Sequence, residues 1–481
     1  RDDLVTGVQT CALPIYYYEP AIPVGRLAAK NKGELKLYYD KIKALESLQF
    51  RANDKNDLTF HNYSDLSNNG IINKEWMKHV VHFGGGKTSS EQALFRNYLK
   101  NYENIIKNHH YGAFVNSVFK ESNETIEPNL ADTIKKWVED GLSIITFFGH
   151  SSAQGFEVSL DDPQFYDNEK KYPLIIANGC FSGDMHIPIT NAGIQLPSQS
   201  EKFVLTEKAG AIGFIAPGVL SYDQLLYQYT ETLYKKIAKD NYENTLGHCM
   251  QACAKQLIND NQNPSSFQLR DIILTMNLHG DPAVKLNNHL QPDYYIDKHQ
   301  IYFEPEEISV DLNSFDMNII IHNLGKATDE NFKLYIERTF EGGIDTMLLN
   351  IDPIYHKDTV TITFPMEANA AGLNQFKVFV DWTQYEGEGG IEEISETNNS
   401  INFPTKDLWI ESTDLVPLYP YDYAIVPDKE IKLIAMTAEK AALNKSYVIQ
   451  IDTTDTYNSL NNGPIARSEE HTSELQSPDH L

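Results

Sequence analysis

Cysteine is scarce: four residues in 481, too few for a disulfide scaffold. No apolar run approaches the roughly 18 residues of a membrane helix, which excludes a helical membrane span. Basic residues are outnumbered, 40 Lys and Arg against 67 Asp and Glu, for a net charge of −27. Such a field repels a phosphate backbone, so nucleic acid is not an expected partner. No internal repeat is visible. What is present suffices to bury cores, with 41 % hydrophobic residues. The length allows about three domains at roughly 150 residues each. The 27 tyrosines point to strand-rich or groove-bearing domains.

The two ends read differently from the rest. Leu4 to Ile15 (LVTGVQTCALPI) and Arg467 to Leu481 (RSEEHTSELQSPDHL) resemble translated sequencing-adapter DNA. Neither carries a period of 2 or 3.6 that would bury a face. The expectation is that 1–15 and 467–481 are artefacts making no packed contacts, that Cys11 is spurious, and that the genuine piece, roughly 16–466, is cut at both ends.

From residue 16 to about 290 strands alternate with helices. Helices are expected at 34–48, 89–107 (capped by Ser89 or Ser90), 129–140 (closed by Gly141), 224–239 and 244–258. HVVHF at 79–83 and residues 113–119 read as strands. SIITFF at 143–148, LIIA at 174–177 and AIGFIA at 211–216 are continuous apolar runs, as central parallel strands covered on both faces require. This order predicts an α/β fold, a mostly parallel sheet sandwiched by helices. After Pro292 the pattern turns to β-segments at 308–312, 317–322, 332–338, 359–364 and 376–382. They predict a β-sandwich over 293–403. A further, truncated β-region over 404–466 follows, with a linker at 417–427.

Two segments share one form. SIITFFGHSS sets His150 after a buried strand and Gly149. PLIIANGCFSGD sets Cys180 after a second buried strand and Asn178-Gly179. Reactive groups gather at the carboxyl ends of parallel strands, where loops open a crevice. A thiol attacks only as thiolate, and a nearby imidazole can take its proton. Gly179 lets the backbone turn sharply, and the amides of Ser151 and Cys180 are candidate oxyanion donors. A buried cysteine beside an ordinary histidine is the plain alternative for each alone. The repeated strand–Gly–reactive-residue unit favours catalysis.

Other motifs read as structural. Gly84-Gly-Gly-Lys-Thr88 fails as a phosphate loop, because Val81 stands where the first glycine is needed, so it is a tight strand-to-helix turn. His79 and His82 fall on opposite faces of one strand. Cys249 and Cys253 share a buried helix face with no second ligand pair. LHGDPAVKL at 278–286 puts Asp281-Pro282 in a turn before a final strand.

The His and Cys units resemble the caspase-clan peptidases. IPVGRLAAKN, HVVHFGGGK, FFGHSS with GFEVSLDDP, YPLIIANGCFSGD, KAGAIGFIA and LHGDPAVKL together resemble the gingipain family of cysteine peptidases, nearest its PorU-like type IX secretion sortases. The resemblance implies a caspase/gingipain-like αβα sandwich over 16–290, followed by an immunoglobulin-like β-sandwich. It implies a catalytic dyad of Cys180 and His150, no cofactor beyond a structural calcium, and protein or peptide substrates. For a sortase, these would be secreted cargo with C-terminal sorting domains, handled with other secretion-system components. It also implies a secreted or cell-surface, outer-membrane-associated enzyme of a Gram-negative bacterium. Two features depart from the family. Ser151 follows His150 where His-Gly is usual, and the acidic residue that reads arginine at P1 cannot be placed. Asp161, Asp162 and Asp184 are the candidates. The resemblance makes 217–222 a pocket wall. Pro217, Val219 and Tyr222 there predict an uncharged P1 side chain. The third group orienting His150 stays unnamed. A non-catalytic scaffold of a secretion or adhesion complex is the rival reading.

Overall fold

The computed structural model describes residues 19–54, 74–121, 131–157, 160, 162–185, 197–261, 266–286, 289–367, 369–384, 390–412, 415–420, 434–437, 446–449 and 466–469. The first half is a six-stranded sheet of β1 (His79–Gly84), β2 (Phe114–Phe119), β3 (Ile144–Phe148), β4 (Leu174–Asn178), β5 (Gly213–Pro217) and β6 (Met276–Gly280). The strand order is β2-β1-β3-β4-β5-β6. The first five strands are parallel and β6 runs antiparallel to β5.

Alternate residues of each strand enter two cores. Val80, Ile144, Phe148, Leu174, Ile176 and Ile215 pack under α2 (Ser89–Lys107), α5 (Asp223–Lys235), α6 (Leu246–Asp260) and α7 (Phe267–Thr275). Val81, Phe83, Ile145, Phe147, Ile175, Ala177 and Phe214 pack under α1 (Lys32–Asn53), α3 (Ala131–Asp140) and α4 (Gln199–Leu205). Burial on both faces is why these strands lack polar alternation. The result is a three-layer αβα sandwich.

Several boundaries differ from the sequence reading. The cap of α2 is Thr88, not Ser89 or Ser90, because Thr88 and Glu91 form a reciprocal capping box. Lys32–Asn53 outlasts the expected helix at both ends. Gly141 closes α3 as expected, at φ +112°. The last strand, β6, precedes Asp281-Pro282 instead of following it. α7, which leads into β6, was not foreseen. Cys249 and Cys253 are buried on α6 and unpaired.

The second half holds two antiparallel sheets. One joins β7 (Ile301–Glu304), β8 (Ser314–Asn323) and β11 (Lys357–Pro365), with Tyr294–Tyr295 on β8. The other has the order β10 (Gly343–Ile351), β9 (Phe332–Phe340), β12 (Gly372–Val380), β13 (Ser400–Ile410). Met317, Ile319 and Ile321 of the first sheet meet Leu334, Ile336, Phe376 and Val378 of the second in one core. β13 runs through the boundary expected at 403/404. β10 was missed because its buried positions are only half-buried. Residues 308–312 form no strand, only a bridge from Ser309 to Glu411.

Leu415–Tyr419 pairs with Ile434–Thr437, so the start of the expected linker is strand. Residues 421–427 of it lie outside the described residues. Ala466–Glu469 pairs antiparallel with Ser446–Ile449. This corrects the expectation that Arg467 onward makes no contact. Backbone pairing needs no side-chain period, so the missing period gave no warning. The rest of both ends lies outside the described residues.

The two halves meet through buried charge. Lys78 Nζ donates to the carbonyls of Asn323 (2.9 Å), Gly325 (2.8 Å) and Tyr355 (2.7 Å). Lys74 is ion-paired with Asp293, both fully buried. Asn398 Nδ2 donates to the other Asp293 oxygen at 2.9 Å. No helix among the described residues is long and apolar enough to cross a membrane.

Candidate active site

β3 and β4 are neighbours, paired in register to Phe148 and Asn178. His150 and Cys180 therefore leave the same carboxyl edge, each two residues beyond the last pair. Neighbouring strands lie about 4.8 Å apart, so the two loops run side by side. Gly149 N donates to Asn178 O at 3.1 Å, continuing the ladder by one step. Asn178 is buried and its side chain donates to Phe147 O at 3.2 Å. Thr230 Oγ1 of α5 holds the Asn178 Oδ1 at 2.5 Å. The end of β4 is thus fixed before the chain reaches the thiol.

Ser151 Oγ donates to the Cys180 carbonyl at 2.9 Å. A Cβ on Gly179 would overlap that hydroxyl, so glycine at 179 and serine at 151 fit as a pair. The departure from His-Gly thus has a structural use, a tie between the two loops. Cys180 is partly exposed, and its Sγ lies 3.5 Å from Ser221 O. Phe181, at φ +59°, donates its N–H to Val219 O at 3.1 Å. Gly183 N donates to Pro217 O at 3.0 Å. The loop after β5 therefore lies against the cysteine loop along its length.

His150 is partly exposed, but its Nε2 atom is covered and makes no hydrogen bond. Glu91 Oε2 stands 3.5 Å from it, longer than a formed hydrogen bond and of the looseness expected without substrate. The same Glu91 oxygen accepts from Lys87 N at 2.8 Å and Thr88 N at 3.2 Å. Partial burial pushes the Glu91 carboxyl up, but those two amides and the His150 ring outweigh it and hold it below the usual carboxylate range. Phe95 of α2 meets the His150 ring edge-on at 6.3 Å. Glu91 is a candidate for the orienting group that the sequence reading left unnamed. Its only signal was the Thr-x-x-Glu capping spacing, which reads as helix chemistry.

A second carboxylate was missed. Glu157 is buried and accepts from His150 N at 2.8 Å and Gly86 N at 2.7 Å. Its other oxygen faces Lys120 Nζ at 3.5 Å.

The expected pocket residues scatter. Asp162 caps the turn Pro163–Phe165 and pairs with Lys202 at 3.3 Å. Asp184 is half-buried, with its N–H on Phe181 O at 3.0 Å. Asp161 lies outside the described residues. Pro217 is buried as the last residue of β5. Val219 and Tyr222 are exposed, at 37 % and 64 %, beside Leu220 at 66 % and Phe181 at 41 %. The cysteine therefore stands beside an apolar rim.

No curated protein sequence matches the chain. Among solved structures, it is similar to the Arg-specific cysteine proteinase gingipain R (RgpB), at 12 % identity over 82 % of this chain and 76 % of that one, with a TM-score of 0.42. A complex of the pro- and mature domains of Porphyromonas gingivalis RgpB aligns at 12 % identity over 82 % and 78 %, TM-score 0.41. A structure described as a protease aligns at 15 % over 77 % and 76 %, TM-score 0.43. The sequence model of peptidase family C25 matches residues 15–287, more than half of the chain and all six strands of the parallel-sheet unit. The chain belongs to peptidase family C25, the gingipain family of cysteine peptidases.

Proposed function

We propose that Cys180 is the nucleophile and His150 its base, in an endopeptidase whose substrates are protein chains. The observation that carries this reading is the in-register pairing of β3 and β4, which brings both loops to one edge. With Glu91 at Nε2, His150 Nδ1 is the ring nitrogen left for the thiol proton. The Cys180 thiolate attacks the scissile carbonyl, and the C–N bond breaks as the imidazolium gives its proton to the leaving amine. Water then hydrolyses the thioester. His150 N–H is committed to Glu157, so the oxyanion donors are the amides of Cys180 and Ser151.

The rim of Phe181, Val219, Leu220 and Tyr222 favours an apolar P1 side chain. Asp162 is already paired with Lys202. An arginine at P1 would be desolvated at a cost of several kcal/mol unless an acid reached it. The sortase role is the finer part of the proposal: an amine in place of water would attach cargo to a lipid-linked sugar at the outer surface of a Gram-negative cell. The resemblance alone supports that part. Among the described residues no cluster of three or more His, Cys, Asp or Glu is arranged to hold a metal. We therefore assign no residues to the calcium that the resemblance implies.

A peptide library tests the reading. Cys180→Ala and His150→Ala should each abolish cleavage while the unfolding midpoint stays within a few degrees. Cleavage at wild-type rate by Cys180→Ala sinks the dyad. A P1 profile dominated by Arg sinks the apolar preference alone.

A further inference from the structure

We propose that Glu157 is a positioning residue of the His150–Cys180 site, holding with one oxygen both the backbone of His150 and the root of the segment that carries Glu91. The proposal rests on the dyad reading and goes beyond it. Oε1 of Glu157 accepts His150 N at 2.8 Å and Gly86 N at 2.7 Å. Glu157 N in turn donates to His150 O at 3.2 Å. From Gly86 the chain runs through Lys87 and Thr88, whose amides bind the Glu91 carboxylate that faces the His150 ring. His150 is thus held through its backbone by Glu157 while its ring faces Glu91. Glu157 also holds, through Gly86, the start of the segment that carries Glu91.

The surroundings are shaped for that carboxylate. A Cβ on Gly149 would lie 2.5 Å from Oε1, and one on Gly85 would run into the same group. Two converging N–H donors ask for a charged acceptor with lone pairs to spare. Such a charge, 7 % exposed, needs a counter-ion, and Lys120, 1 % exposed, supplies it. Lys120 N is itself fixed on Gly84 O at 2.8 Å, so the cation belongs to the same glycine turn. A group that only filled the core would need none of this convergence.

Iodoacetamide alkylation of Cys180 in the full chain, followed on the peptide that carries it, reports thiolate formation without requiring a known substrate. His150→Ala sets the floor. The double variant Glu157→Ala/Lys120→Met removes the acceptor without stranding a buried cation. It should slow alkylation about tenfold in folded protein, the scale of a small misplacement. Glu157→Gln/Lys120→Met keeps a carbonyl acceptor and should return the rate to within about threefold of wild type. Gly85→Ala, whose Cβ would meet the Glu157 side chain first, should match the slow variant and add nothing when combined with it. Alkylation within twofold of wild type in folded Glu157→Ala/Lys120→Met overturns the proposal. So does a Gln variant as slow as the Ala variant, which would make charge rather than the amide grip the cause. If His150→Ala itself leaves the rate unchanged, the dyad reading fails and this inference falls with it.

Discussion

One carboxylate at position 91 has two neighbours of different kinds. Glu91 closes the capping box of α2 through Lys87 and Thr88 and faces His150 with the same oxygen. Substitution can separate them. Glu91→Gln keeps the capping geometry, so stability should hold within about 0.5 kcal/mol, while kcat falls at least tenfold because the imidazolium loses its anion. Glu91→Ala should add a loss of about 1 kcal/mol in urea unfolding. Equal kcat for Glu91→Gln and wild type would remove Glu91 from the site. Gly179 and Ser151 form another coupled pair. Gly179→Ala forces the new methyl onto Ser151 Oγ and should cost activity severely. Ser151→Gly in the same chain should recover part of it, since Gly149 O still stands 2.9 Å from the new methyl, and a double variant no better than Gly179→Ala alone would break the pairing.

Among the elements, strands buried on both faces were the most legible. IITFF and LIIAN are buried at every position, with Thr146 and Asn178 as their polar residues, and such runs suit a central parallel strand. Hence His150 and Cys180 could be set at the carboxyl ends of two buried strands from sequence, while the pairing of those strands as neighbours came from the structure. Glu91 and Glu157 could not. The first looks like ordinary capping, and the second sits in a loop whose partners, Gly86 and Lys120, lie 71 and 37 residues away. Long-range hydrogen bonds leave no local period. Lys41 was equally silent. It lies on α1 with its whole side chain buried, and Nζ points into the carbonyl end of α4. It reaches Val204 O at 3.1 Å and Ala209 O at 2.8 Å. Burial pushes its amine down to about 7. Lys41→Met should therefore destabilise by about 1–3 kcal/mol, since the carbonyls lose their donor. An unchanged urea midpoint would show that they are satisfied without it.

For the whole molecule, the junction of the two halves is where pH should act. Glu75 Oε1 stands 3.9 Å from His322 Nδ1 and 3.8 Å from His356 Nε2. Burial pushes His322 down to about 3 and His356 well below its ordinary value. Unfolded imidazoles take protons near 6.5 while these stay neutral. Their contribution is thus present above about pH 6.5 and lost as the pH falls towards 3, at up to about 1.4 kcal/mol per unit for each group. Between pH 7 and 5.5 the two histidines should pull the urea midpoint down, against the opposite slope of the buried Glu75 and Glu393 carboxyls that desolvation raises, and His322→Gln should make the fall shallower than in the wild type. The same pH dependence in His322→Gln and wild type would refute this.

Lys78 reads the β-sandwich without consulting its side chains. Its three acceptors are the main-chain carbonyls of Asn323, Gly325 and Tyr355, and every amino acid carries that oxygen. What the peptidase half recognises is therefore the path of two turns and not their spelling. Sequence drift at Tyr355 leaves the carbonyl that Lys78 uses in place, whereas Asn323 and Gly325 are held to type, one by its side-chain hydrogen bonds and the other by the lack of room for a Cβ. A rigid substitution that bends the path breaks three bonds at once, however similar the residue. At Lys78 the boundary between the halves is written in shape, and an exchange of one sandwich for another would have to reproduce that path as well as the Asp293 partner of Lys74.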